Sequence, residues 1–152
     1  MSLKDLLADG RIRPHKTSAS EIEELMRMVD RDLADAGIVK LSPDRRFATV
    51  YNAALLLATI ALRSSGHCLV GTGHHWATLH DLPEIMGPQV QARSDFFDSC
   101  RSKRNITDCD RSGAISNHEV EEIRTEVLAF RDELLSWLEK NHPTFLPKRS
   151  NP

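Results

Sequence analysis

The chain has 152 residues, of which 40% are hydrophobic, 28% charged and 5% aromatic, and its formal net charge is -2. That length fits one domain burying about two-thirds of its unfolded surface, and the composition excludes a disordered chain. The charge excludes a uniformly basic nucleic-acid glove, and the three cysteines, an odd number, exclude a fully paired disulfide scaffold.

Residues 1–9 predict a short helix through Leu3, Leu6 and Leu7, stopped by Gly10. Residues 10–17 are basic, contain Pro14 and read as a connector. Ser20 with Glu23 three residues on reads as a capping box, followed by Ile22, Met26, Val29, Leu33 and Ala36 at helical spacing, with Gly37 as the stop. Ser42-Pro43 predicts an N-cap with proline at the first helical position. The helix behind it is apolar on nearly every side from Ala53 to Leu62 and is expected to be central and buried. That run is ten residues long, short of the ~18 a membrane span needs, and the N-terminus shows no apolar signal core. Residues 67–73 read as a loop or a short extended piece, and residues 74–86 as a short helix closed by Gly87-Pro88. A third long helix is expected from Val90 to about Lys103, with Phe96, Phe97 and Cys100 facing in. Ser116 and Glu119 form a capping box for the last helix, whose apolar stripe is Val120, Ile123, Val127, Phe130, Leu134 and Trp137. His142-Pro143 ends it.

No segment shows sustained period-2 alternation, so the expected fold is all-α, an up-and-down bundle of four to five helices. Its parts are a short N-terminal helix and connector (1–17), the bundle (18–142) and a flexible tail (143–152). The odd cysteine count suggests a reducing, cytoplasmic setting. Residues 18–36 carry two arginines against six acids, and 114–141 three bases against seven acids. By contrast 101–111 carries four cations, Arg101, Lys103, Arg104 and Arg111, against Asp108 and Asp110, a basic patch suited to phosphate.

Four constellations carry chemistry. Residues 108–119 place oxygen-bearing residues at the first, third, fifth, ninth and twelfth positions of a calcium loop, with Gly113 at the sixth. The flank argues against calcium: Lys103, Arg104, Asn105 and Thr107 stand where apolar residues belong, so a helix–turn–helix join is the preferred reading. His67, Cys68, His74, His75 and His80 suit zinc by type, but no pair falls at i,i+4, so no metal site is expected. Gly71-Thr72-Gly73 lacks the context of a dinucleotide loop and reads as turn chemistry. Lys103-Arg104-Asn105, placed at the end of the third helix, reads either as a phosphate clamp or as solvated cations at a helix C-terminus.

The stretches YNAALLLATIALRSSGH (51–67), GTGHHWATLHDLPEIMG (71–87) and DFFDSCRSKRNITDCDRSGAIS (95–116), followed by the long amphipathic helix, resemble the HEPN domains of prokaryotes. The resemblance spans most of residues 45–140 and implies an up-and-down helical bundle that forms a homodimer. HEPN domains include ribonucleases of toxin–antitoxin and stress systems and RNA- or nucleotide-binding partners of small nucleotidyltransferases. Their functional motif is arginine, a polar residue such as asparagine, and a histidine four to six residues on. Arg104-Asn105 matches its first half, whereas the positions for the histidine hold Cys109, Asp110 and Arg111. The sequence is similar to the variant in which Arg-Asn is followed by Tyr-Asp, with Cys109 in place of the tyrosine. The resemblance therefore implies an RNA- or nucleotide-binding module without catalysis, its ligand held by Arg101, Lys103, Arg104 and Arg111. The alternative is a metal-independent endoribonuclease in which Arg104, Asn105, Cys109 and Asp110 act on the phosphodiester. Neither reading needs a cofactor or a membrane.

Overall fold

The computed structural model describes residues 2–71, 75–109 and 115–147, with the side chains of all but 105–109. The described chain is an all-α helical bundle with one small ribbon. Its elements are α1 (Leu3–Ala8), β1 (Ile12–Pro14), α2 (Ala19–Ala36), α3 (Pro43–Ser64), β2 (His67–Leu69), α4 (Trp76–His80), α5 (Leu82–Met86), α6 (Gln91–Cys109) and α7 (Asn117–Asn141). Single 3-10 turns stand at Pro88–Val90 and Pro143–Phe145.

α3 is the axis of the fold. Phe47, Val50, Tyr51, Ala54, Leu57, Ala58 and Ala61 are all but inaccessible. α2, α6 and α7 pack around it, bringing Ile22, Met26 and Val29, then Phe97 and Cys100, then Val120, Ile123, Val127, Phe130 and Leu134. α3 is long and apolar enough to cross a membrane by length and composition, but most of its apolar window is buried inside the bundle.

The caps follow from the sequence at two starts and differ at the third. Ser42 accepts from Arg45 N–H, and Ser116 accepts from Glu119 N–H at 3.1 Å while Glu119 accepts from Ser116 N–H at 3.2 Å. Replacing Ser116 by alanine is expected to cost about 1 kcal/mol in a urea titration, because one of α7's first amides loses its acceptor. For α2 the N-cap is Ser18 rather than Ser20, and Ser18 Oγ accepts from Glu21 N–H. The reciprocal half of a box is absent because Glu21's carboxylate is taken by His15 and Arg63. Burial raises the Glu21 carboxyl, and the hydrogen bonds from His15 and Arg63 outweigh it and hold the group below its ordinary range.

Four other features depart from expectation. The connector 10–17 contains β1, which pairs antiparallel with β2 in the register Ile12↔Leu69, Arg13↔Cys68, Pro14↔His67. Cys68 therefore sits in a strand and is buried. The helix expected over 74–86 is two single turns meeting at Asp81, since Pro83 has no N–H to continue the first. Gly87 closes the second at φ 115, a backbone only glycine adopts freely. α6 runs on to Cys109, six residues past Lys103. The start of the tail is anchored, with Phe145 and Leu146 packed against the core.

Candidate functional site

The extension of α6 decides where its cations lie. Phe97, Cys100 and Arg104 fall at spacings of three and four on the row facing α3. Two members of that row are buried in the core, and the third places its guanidinium 5.4 Å from the centre of the Tyr51 ring. Arg104 thus lies well inside a helix, so the reading of it as a solvated helix C-terminus does not apply.

Arg101 lies one turn earlier, beside α4. Its guanidinium stacks on the Trp76 ring at 3.9 Å from the centroid. Stacking uses the flat face of the group and leaves its in-plane N–H edges for an oxyanion. Arg101 makes no hydrogen bond or ion pair with another described residue, so those edges are uncommitted in that set.

Lys103 points the other way. Its Nζ lies 3.1 Å from Glu119 on α7. The hydrogen bond to Glu119 holds its ammonium above the usual lysine range, so it stays charged and paired. The structure therefore brings Arg101 and Arg104 together on the α3–α4 side and commits Lys103 to α7. Asn105 and Cys109 follow Arg101 at i+4 and i+8 of the helix, and their side chains lie outside the described set. Asp110 and Arg111 lie outside the described residues, as does most of the calcium-loop pattern at 108–119. Glu119, its last member, is occupied by Ser116 and Lys103. His74 is also outside, and no group of three or more metal-ligating side chains occurs among the described residues.

Sequence reasoning gave Trp76 no role and weighed His80 only as a zinc ligand. Trp76 and His80 lie at i,i+4 on α4, with ring centroids 6.4 Å apart. His80 Nδ1 is 2.9 Å from Asp98 Oδ2, and Asp98 is one turn before Arg101 on α6. That hydrogen bond outweighs the opposing effect of burial and raises the imidazole above its ordinary pKa. The i,i+4 and i,i+3 spacings were visible in the chain, but the meeting of α4 with α6 was not.

Tyr51 and Cys100 complete the floor. Burial pushes the Tyr51 phenol up to about 12, against the pull of Arg104 and Arg101. Burial likewise pushes the Cys100 thiol up to about 12. Neither supplies a base near neutral pH. The cluster is a surface in which two guanidiniums lie against aromatic rings and an imidazole leans on a carboxylate. It can bind an oxyanion and offer it a proton.

The chain is an all-α bundle bearing a basic, aromatic cluster where α4 and α6 meet. No family model, curated protein or solved structure matches it.

Proposed function

We propose that the chain is an RNA- or nucleotide-binding module of the HEPN type that contacts phosphate through Arg101 and Arg104. The observation that carries this reading is Arg101 stacked on Trp76 at 3.9 Å, with its in-plane donors uncommitted among the described residues. Such a pair is already oriented for a phosphate before it arrives. The same proposal includes a homodimer, and a nucleotidyltransferase or toxin–antitoxin component as the protein partner.

Fluorescence anisotropy with a labelled single-stranded RNA tests it. Arg101→Ala is expected to weaken binding about tenfold. It should also flatten the salt dependence by roughly 0.7 in log–log slope for each phosphate that is no longer neutralised. An unchanged affinity and slope would defeat the proposal.

The second reading is the metal-independent endoribonuclease using Arg104 and Asn105. The His80–Asp98 hydrogen bond favours it, since an imidazole held by a carboxylate is a proton-transfer group, and it lies where α4 meets α6, as Arg101 does. RNA degradation in EDTA separates the two readings. Cleavage by the wild type that Arg104→Ala or His80→Ala abolishes supports the enzyme, and absence of cleavage by the wild type supports the binding module.

A further inference from the structure

α3 is apolar on most of its circumference, and α2, α6 and α7 cover three of its sides. The fourth side carries Asn52, Leu55, Leu56, Thr59 and Arg63 at helical spacing and, among the described residues, faces β1, β2 and α4. Between them lies a cleft of about 390 Å³. Leu25 from α2 and Leu69 from β2 complete its apolar wall, and these two leucines, like Leu55 and Leu56, are only half-buried. The size and apolar lining are those of a small-molecule site.

We propose that this cleft binds a small amphipathic carboxylate, with its hydrocarbon body against the leucines and its head at Arg13. Two independent observations point to a ligand. The first is Thr78, which lines the cleft, is 2% exposed and leaves its hydroxyl with no hydrogen-bond partner. Buried hydroxyls are ordinarily satisfied, so one left open at a cavity wall marks a place where a ligand supplies the partner. The second is charge. His15, His75 and Arg63 also line the cleft, and the Glu21 carboxylate, shared by His15 and Arg63, offsets the arginine's charge. Arg13, exposed on β1, is matched by no carboxylate among the described residues. Two arginines against one carboxylate leave an excess of one positive charge at the cleft, which favours a monoanion over a polyphosphate. Its wall excludes a ligand without apolar substance. Neither Arg101 nor Arg104 lines the cleft, so it is independent of the RNA proposal.

Titration of the full chain with decanoate, with decanol as the neutral control, tests this by calorimetry and by amide chemical shifts. Decanoate is expected to bind about tenfold or more tightly than decanol. Arg13→Gln, at an exposed position, should reduce decanoate to the affinity of decanol and leave decanol unchanged. Thr78→Val should weaken decanoate severalfold and at the same time raise the melting temperature of the free protein, because it removes an open buried hydroxyl. Leu56→Glu, checked for native circular dichroism, should abolish both. Arg101→Ala should leave decanoate binding intact. The proposal is overturned by absence of decanoate binding or by equal binding of the two probes. It is equally overturned if wild type is a dimer that Leu56→Glu dissociates, since a second copy would then cover the cleft.

Discussion

Phe130→Ala is expected to lower the unfolding free energy by about 3–5 kcal/mol in a urea titration. Phe130 is fully buried on α7, and its ring lies 5.7 Å from that of Phe97 on α6 at 45°. The Arg93 guanidinium sits 6.0 Å above the same ring. From there Arg93 donates to the Glu126 carbonyl at 3.0 Å and to the carboxylates of Glu126 at 2.9 Å and Glu133 at 3.1 Å. One side chain thus holds an aromatic pair and a cation that bridges two turns of α7. Alanine would remove the ring that both other groups rest on, and the surrounding helices can collapse only in part. Leu128→Ala on the same helix is the control. Leu128 is 42% exposed, so its truncation should cost no more than about 0.5 kcal/mol. A loss below about 1 kcal/mol at Phe130 would contradict the packing of α6 on α7. Hydrogen exchange adds a second reading, because α6 amides should lose protection in Phe130→Ala before those of α2 do.

The helices were legible because each obeys a local rule. The stripe from Val120 to Leu134 repeats at 3.6 residues, and Ser42-Pro43 and Ser116 with Glu119 mark starts by their own hydrogen-bonding chemistry. α2 began two residues early because Ser18 and Ser20 both have an acid three residues on. The structure takes Ser18, and the Glu21 carboxylate, instead of closing a box, binds Arg63 of α3, 42 residues on in the chain. The ribbon was hidden for a different reason. Three residues per strand are too few to show alternation, and partners such as Arg13 and Cys68 are far apart in the chain. α6 was cut short because its apolar period ends at Cys100, while the lysine and arginines beyond it are good helix formers that need no apolar face to continue.

The candidate site divides along the same line. The cations of α6 could be named from the sequence, but their faces could not be assigned until the helix was known to continue. Once it does, Arg104 falls on the Phe97–Cys100 row, Arg101 beside it, and Lys103 across from both. Trp76, His80 and Asp98 carry no motif. They matter because α4 and α6 meet there, which is a property of the packing rather than of any local pattern.

Arg46 is the second position where a large effect is expected, and it follows from burial alone. Arg46 is 6% exposed, near the start of α3. Its Nε donates to the Ala36 carbonyl at 2.8 Å, and its Nη2 donates to Glu121 Oε1 on α7 at 3.1 Å. Ala36 is the last residue of α2 and is itself fully buried, so this carbonyl is one of the helix-end acceptors that no intrahelical amide can reach. The guanidinium is therefore the cap of α2 as well as a tie to α7, and its charge suits the negative end of the helix dipole. Arg46→Met keeps most of the apolar stem and removes both donors. It is expected to cost about 2 kcal/mol, most of it from leaving a buried carbonyl unsatisfied. Arg46→Ala should cost more, because the packing of the stem is removed too. Arg46→Lys should recover only part, since a single ammonium does not reproduce the planar fork that reaches both acceptors. Glu121 is 57% exposed, and Glu121→Ala leaves the Arg46 guanidinium its bond to the Ala36 carbonyl, so Glu121→Ala should cost less than Arg46→Met. The inequality is the test. Equal losses at Arg46 and Glu121 would mean that the ion pair, not the capped carbonyl, carries the contribution, and would remove Arg46 as the element joining α2 to the bundle's axis.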